Sequence, residues 1–148
     1  MIPIGDGKKI REHFGKKLKG PVTIDFFTQG DSPLPVPIQE CMFCKETGEL
    51  LREVAALSER ITLNVHDLVS DAATAKVHGI TRVPAFVLGG AAKGRVRFFG
   101  IPSGYEFAAL IEAIVDVSRG STDLAPKAVE QLSKLRKDVH VQVFGTPT

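Results

Sequence analysis

The sequence predicts an α/β fold in which a mixed four-stranded sheet is covered by helices on both faces. Three observations carry this prediction: apolar residues alternate along several short segments, they recur at helical spacing between those segments, and glycine or proline stands at the junctions. Successive strand–helix–strand units form parallel strands, and a closing hairpin adds an antiparallel one. A chain of 148 residues accommodates one such domain with an appendage.

The first half of the chain predicts a helix, a strand, a long loop and a second helix. Ile10, Phe14 and Leu18 recur at helical spacing, and Gly20-Pro21 ends that helix. The next strand alternates around Asp25, and three prolines then make the loop stiff and extended. The predicted ranges are 7–19 for the helix, 22–27 for the strand, 29–39 for the loop and 44–59 for the second helix.

The second half predicts a strand, a short helix, a hairpin and a long helix. The Gly89-Gly90 turn joins an apolar strand to an antiparallel strand around Val96 and Phe98. Ser103 and Glu106 have the spacing of a capping box, which predicts the start of the long helix there. The predicted ranges before the turn are 61–66 for a strand, 71–78 for an alanine-rich helix and 85–88 for the apolar strand.

The C-terminal segment predicts a further helix over residues 125–136 and a strand through Val139, Val141 and Val143. The helix end, polar turn and strand of residues 17–27 recur in register in residues 134–144, which suggests a duplicated unit. Two unrelated helix–strand junctions are the alternative. The repeat predicts a domain with its N-terminal helix over residues 1–124. Residues 125–148 are then a linker helix and the first strand of an incomplete second unit.

Composition and charge exclude several classes of function. The 19 basic and 17 acidic residues are well mixed and give a net charge of only +2, which argues against nucleic-acid and membrane-surface binding. The N-terminus lacks the apolar core of a signal peptide, and apolar runs are shorter than the ~18 residues of a membrane span. We therefore expect a cytoplasmic protein without a membrane or nucleic-acid partner.

The two cysteines, Cys41 and Cys44, stand three positions apart at a predicted loop-to-helix junction. Unpaired N–H groups and the helix dipole favour a thiolate at a helix N-terminus, and a thiol one turn later can resolve a mixed disulfide. We therefore predict that Cys41 is the attacking nucleophile and Cys44 the resolving thiol. The apolar pair Met42 and Phe43 between them suits a peptide or protein substrate.

A zinc half-site and two inert buried cysteines are the alternatives for this pair. Structural zinc takes four nitrogen or sulfur ligands, and the four histidines of the chain are not paired at ligand spacing. The coincidence of the C-x-x-C motif with a strand-to-helix junction argues against inert cysteines. We therefore expect neither a metal nor a cofactor.

Two further positions are candidate site residues. A proline at a strand entrance, as in Val83-Pro84, is often plain punctuation. A cis peptide bond there would place the backbone of Val83 beside the sulfurs, where an extended substrate could pair with it. Asp25 is a candidate proton relay to Cys44 through water. The alternative for Asp25 is that it faces solvent or caps a neighbour at the sheet edge.

Three segments stand out together: Cys41-Met-Phe-Cys44-Lys-Glu-Thr, Gly79-Ile-Thr-Arg-Val-Pro-Ala85 and Phe98-Phe-Gly-Ile-Pro-Ser-Gly-Tyr-Glu-Phe107. Over nearly the whole chain the sequence resembles the N-terminal unit of the protein disulfide oxidoreductases of archaea and thermophilic bacteria. These glutaredoxin-like proteins consist of two tandem thioredoxin-fold units, each with its own C-x-x-C. The resemblance implies a thioredoxin-like fold, a redox role for Cys41 and Cys44, and a cis peptide before Pro84. It also implies a second unit that stops before its C-x-x-C.

The leading functional hypothesis is a thiol–disulfide oxidoreductase that reduces or exchanges protein disulfides. Its expected partners are protein disulfide substrates and either a thioredoxin-reductase-like flavoprotein or a peroxiredoxin. One alternative is a glutathione-linked glutaredoxin, in which Arg82 and Lys45 hold the carboxylates of the tripeptide. The other is a non-catalytic docking module, in which the strand over residues 139–144 pairs with a partner or with a second copy in a homodimer.

Overall fold

The structure, a computed structural model, describes residues 4–30 and 41–145. It has the order of elements that the sequence predicts from the first helix to the long helix after the hairpin. These elements are α1 (Ile4–Lys17), β1 (Val22–Thr28), α2 (Cys44–Ala55), β2 (Ile61–Asp67), α3 (Ala72–His78), β3 (Ala85–Gly89), β4 (Val96–Phe99), α4 (Tyr105–Arg119) and α5 (Pro126–Ser133). The predicted loop over residues 29–39 lies, beyond Gly30, outside the described residues.

Four strands form one mixed sheet in the order β2-β1-β3-β4. β1 pairs in parallel with β2, whereas β3 runs antiparallel to both of its neighbours. The parallel pair is joined by α2, as a parallel connection requires. The predicted mixed four-stranded sheet is confirmed.

Helices cover both faces of the sheet and bury two clusters of apolar side chains. The larger cluster packs α1, α2 and α4 against one face, into which Ile24 and Phe26 point. The smaller cluster packs α3 against the other face, into which Phe27 and Val87 point. Since neighbouring residues of a strand point to opposite faces, a sheet covered on both sides buries Phe26 and Phe27 alike.

The carboxyl ends of β1, β2 and β4 meet the amino end of β3 at one end of the sheet. Phe27 is in register with both His66 and Ala85, and Ala85 is in register with Phe99. We call this end the cysteine end, because the chain leaves it after β1 toward Cys41 and returns along the sheet as α2. The site described below is assembled here from four separate connections.

The start of α4 differs from the prediction. No side chain caps the helix, which begins after Gly104, so the capping box predicted for Ser103 and Glu106 is wrong. The backbone carbonyl of Ser103 instead accepts the N–H of Glu106 at 3.2 Å. Gly104 has a φ of 59°, a conformation that glycine adopts readily, and this turn leads the chain into the helix.

The C-terminal segment contains the predicted helix but not the predicted strand. α5 is shorter than expected, and residues 138–145 form neither helix nor strand. The predicted strand over residues 139–144 is therefore wrong for this structure, because an extended segment becomes a strand only by pairing with another. Within the described residues the sheet ends at β2 and β4. The division at residue 124 and the incomplete second unit stay predictions.

Candidate active site

Cys41 and Cys44 form a disulfide at the amino end of α2, with their Cα atoms 5.5 Å apart. Cys44 is the first residue of the helix and is only 7% exposed. Cys41 is half-buried, and its carbonyl accepts the N–H of Cys44 at 3.4 Å. The more accessible residue is therefore the one predicted to attack, and the buried residue is the one predicted to resolve.

The amino end of α2 supplies the local field at the disulfide. The cap residue Phe43 makes no side-chain hydrogen bond to the helix. Lys45 and Glu46 place opposite charges in the first turn, and opposite charges oppose each other in their effect on a nearby thiolate. The helix dipole therefore remains as the feature that favours a thiolate at Cys41.

Pro84 follows a cis peptide bond from Val83, as the family resemblance implied. Pro84 is buried, and its carbonyl accepts the N–H of Gly100, the residue after β4, at 2.8 Å. Val83 is half-buried against the smaller core cluster. Both residues immediately precede β3 and so lie at the cysteine end, whereas their contact with a substrate stays a prediction.

Exposed apolar side chains lie at the cysteine end of the sheet. Met42, between the cysteines, is 78% exposed, and Phe43 is also exposed. Phe99 ends β4 and Tyr105 begins α4, and both of these rings are exposed as well. The guanidinium carbon of Arg82 lies 4.6 Å from the centroid of the Phe99 ring. Sequence reasoning missed Phe99 and Tyr105 as site residues, although both belong to the third segment that carries the family resemblance.

Asp25 is not brought together with Cys44. Its carboxylate accepts a hydrogen bond from Asn64 Nδ2 at 2.9 Å and lies 3.1 Å from Nε2 of His66, both on β2. Asp25 alternates with residues of the larger cluster and so points to the face that carries α3, whereas α2 packs on the opposite face. The relay role stays a prediction without a supporting contact. The alternative, a carboxylate paired with its neighbours at the sheet edge, describes the observed bonds.

Asp67, the last residue of β2, joins two connections at the cysteine end. Its carboxylate accepts the backbone N–H groups of Gly30 at 2.6 Å, Ser70 at 2.8 Å and Val69 at 3.0 Å. The hydrogen bonds from Ser70 and then Gly30 hold the pKa of the Asp67 carboxyl below its usual value. The sequence analysis did not select Asp67, and an Asp three positions before a Ser at a strand end is the signal for such a turn.

Metal-ligating clusters and membrane-spanning helices are both lacking in the described ranges. Across residues 4–30 and 41–145, no group of three or more histidine, cysteine or acidic side chains is placed to hold a metal ion. None of the helices in this part of the chain is long and apolar enough to cross a membrane. The chemistry at the cysteine end is therefore that of the two sulfurs and the groups around them.

Curated proteins similar to the chain carry one name. No family model matches the sequence. The alkyl hydroperoxide reductase protein AhpF of Staphylococcus aureus is 31% identical over 102 residues, which are 68% of this chain and 18% of that protein. The corresponding protein of Xanthomonas campestris pv. phaseoli is 28% identical over 101 residues, with 68% of this chain and 17% of that protein covered. The chain thus spans only a small part of the curated relatives it matches.

Two solved structures share the fold over most of the chain. AhpF of Enterococcus faecalis superposes with a TM-score of 0.75 at 26% identity, covering 92% of this chain and 62% of that one. A protein disulfide oxidoreductase of Aeropyrum pernix superposes with a TM-score of 0.73 at 26% identity, covering 90% of this chain and 55% of that one. The second is of the kind that the sequence resembles.

Fold, disulfide and neighbours together define a thiol–disulfide oxidoreductase of the thioredoxin-like class. Within that class the chain is similar to a protein disulfide oxidoreductase, as predicted, and to part of AhpF, which the sequence analysis did not name. The predicted fold class and type of enzyme are confirmed. The roles of individual site residues stay predictions.

Proposed function

We propose that the protein transfers electrons to the disulfides of protein substrates, with Cys41 attacking and Cys44 resolving. The observation that carries the proposal is the difference in burial between the two cysteines at a helix N-terminus. In the reduced protein the Cys41 thiolate attacks a substrate disulfide, forms a mixed disulfide and releases one substrate thiolate. Cys44 then attacks the Cys41 sulfur, restores the internal disulfide and releases the second substrate thiol.

The exposed apolar residues at the cysteine end support a protein as the substrate. Met42, Phe43, Phe99 and Tyr105 present methionine and aromatic side chains to solvent, and these residue types are enriched in protein–protein interfaces. The backbone of Val83, next to the first residue of β3, is placed to pair with an extended substrate segment. A folded or extended polypeptide fits this surface better than a small polar molecule.

The names of the relatives support a role in peroxide reduction. The curated proteins that the chain matches belong to an alkyl hydroperoxide reductase. We infer that the physiological substrate is the disulfide of a peroxiredoxin, and that a thioredoxin-reductase-like flavoprotein or a small thiol reduces the Cys41–Cys44 disulfide after each turnover. The electron pair then passes from donor to Cys41–Cys44 and on to the substrate disulfide.

Exposed apolar residues of the C-terminal segment favour a second function in association. Side chains of this size left in solvent form a surface that another chain can cover. We propose a second copy of the protein as the partner, because the same segment of each copy could then cover the other in a closed dimer. The residues concerned are Val129, Leu132, Leu135, Val139, Val141, Val143 and Phe144.

Trapping of the mixed disulfide tests the redox proposal. Cys44→Ser removes the resolving thiol, so a covalent adduct between Cys41 and a disulfide-containing protein such as insulin is expected to accumulate. Cys41→Ser is the matched control, since its remaining cysteine is buried, and it is expected to form little adduct. Non-reducing electrophoresis with mass spectrometry measures both. Equal adducts from the two variants, or none from either, would contradict the assigned roles.

A further inference from the structure

The side chain of Thr47 is fully buried, and its hydroxyl finds no hydrogen-bond partner among the described residues. Native proteins rarely bury a hydroxyl in this way, because the group gives up its bonds to water without replacing them. Two other buried atoms share this status, Nε2 of His13 and Nε of Arg119. His13 Nε2 nevertheless lies 3.2 Å from the Glu112 carboxylate, and Arg119 uses another nitrogen in ion pairs. Within the described part of the chain, Thr47 has no such compensation.

Thr47 lies one helical turn after Cys44 on the same face of α2. The buried positions of this helix follow one inward-facing stripe, which includes Cys44, Thr47, Gly48, Leu51 and Val54. Side chains three residues apart on a helix are neighbours, with Cβ atoms about 5–6 Å apart. The Thr47 hydroxyl therefore lies within the reach of one side-chain rotation from the Cys44 sulfur.

The usual local partner of a helical threonine is not used. A threonine in a helix commonly bonds the carbonyl three or four residues earlier, here Cys44 or Phe43. The carbonyl of Phe43 already accepts the N–H of Thr47 at 3.0 Å, and the hydroxyl bonds neither carbonyl. The hydroxyl is thus left without a partner among the described residues while Cys44 is in its disulfide.

We propose that Thr47 is a positioning residue whose hydroxyl pairs with the Cys44 sulfur when the disulfide is reduced. A dithiol donor reduces Cys41–Cys44 by thiol–disulfide exchange: the Cys41–Cys44 bond breaks, a disulfide forms in the donor, and the two donor protons pass to the cysteine sulfurs or to solvent. The freed Cys44 sulfur is a hydrogen-bond acceptor, strongest as the thiolate. The Thr47 hydroxyl then gains, in the reduced state alone, the bond that it lacks in the oxidised state.

This pairing stabilises the reduced form relative to the oxidised form. Thr47→Val keeps the shape of the side chain and removes the hydroxyl, so the variant is expected to be harder to reduce. The loss of one hydrogen bond corresponds to roughly a fivefold change in the equilibrium constant with a dithiol donor. At 29.6 mV per tenfold change, the reduction potential is expected to become more negative by about 20 mV.

The inference rests on the proposed redox function, but its test does not require a protein substrate. The reduction potential of the full chain is measured in dithiothreitol redox buffers for the wild type, Thr47→Val and Thr47→Ser. The serine variant retains the hydroxyl and is expected to keep the wild-type potential. An unchanged potential in Thr47→Val, or equal shifts in both variants, would overturn the inference. Failure in substrate assays with a shifted potential would count against the substrate proposal alone.

Unfolding by denaturant supplies a second readout. Removal of an unsatisfied hydroxyl is expected to raise the unfolding midpoint of oxidised Thr47→Val, whereas the reduced variant loses a bond and is expected not to gain. Ser118→Ala is the matched control, because Ser118 is the other buried hydroxyl of the described residues, and it donates to the carbonyl of Val115 at 2.7 Å. That variant is expected to be less stable in both states with an unchanged potential. Equal stability changes of Thr47→Val in the two redox states would overturn the inference.

Discussion

The carboxylate of Asp67 accepts the backbone N–H of Gly30 at 2.6 Å, and this bond joins the end of β2 to the segment that leads from β1 toward Cys41. The same side chain closes its own turn by accepting the N–H groups of Val69 and Ser70. One carboxylate thus holds together two connections on which the geometry of the cysteine end depends.

The first prediction concerns Asp67→Asn, which removes the charge and one acceptor pair. At neutral pH this variant is expected to lose about 1–2 kcal/mol of unfolding free energy, the usual size for hydrogen bonds to a charged group. Because the folded-state pKa is lowered, the contribution of the carboxylate is present above the pKa of the unfolded chain and is lost as the pH falls through the folded value. Denaturant unfolding of wild type and variant should therefore converge in acid.

Asp6→Asn is the control for that measurement. Asp6 pairs with Lys9 at 3.6 Å on an exposed part of α1, and such pairs contribute little. A difference between wild type and Asp67→Asn that stayed constant from neutral pH into acid would contradict the role given to the carboxylate.

The second prediction concerns Arg82 and Phe99. The guanidinium lies over an exposed ring, so a double-mutant cycle with Arg82→Gln and Phe99→Leu is expected to give a coupling of about 0.5–1 kcal/mol in unfolding free energy. A coupling of zero would show that the contact is not maintained in solution. The same Arg82→Gln variant probes the glutaredoxin alternative, which requires a large drop in glutathione-driven activity when this cation is removed.

The third prediction compares two glycines. A Cβ atom at Gly90 would lie 2.5 Å from the carbonyl oxygen of Val117, a backbone atom that cannot give way, so Gly90→Ala is expected to cost about 2–3 kcal/mol. A Cβ at Gly15, inside α1, meets nothing within 4 Å, and Gly15→Ala is expected to stabilise by about 0.5–1 kcal/mol. Thermal or denaturant unfolding measures both. The same sign of change in the two variants would contradict the packing of the hairpin turn against α4.

The fourth prediction concerns the segment after Leu124. No described residue of α5 is buried, and residues 138–145 pair with no strand of the sheet, so truncation after Leu124 is expected to change the unfolding free energy by less than about 0.5 kcal/mol. Loss of folding on truncation would contradict the domain division. Sizing of both proteins tests the proposed homodimer, which requires the truncated protein to lose its partner; an unchanged oligomeric state would reject it.

The sheet, its helices and the cysteine pair could be predicted because each leaves a local signal. Alternation around Asp25, the glycine and proline junctions, and the C-x-x-C at a helix start report the conformation of their own segments. The strand predicted over residues 139–144 was wrong because alternation reports the ability to pair, whereas a strand also needs a neighbour. The capping box of Ser103 and Glu106 was wrong because Gly104 offered another turn.

The remaining features of the site depend on contacts that spacing does not encode. The face of the sheet to which Asp25 points is fixed by which helices cover each side, and its partners come from β2. The bond from Gly30 to Asp67 joins residues far apart in the chain. The missing partner of Thr47 emerges only once its burial is known.

The most direct test of the account is reduction of insulin disulfides by the full chain, with dithiothreitol or glutathione as the donor. The account predicts that the wild type accelerates the reaction above the rate of dithiothreitol alone, and that Cys41→Ser falls back to that rate. Activity with glutathione only would favour the glutaredoxin alternative. Wild-type protein that gave no acceleration with either donor would contradict the assignment of Cys41 and Cys44 as a redox centre for protein disulfides.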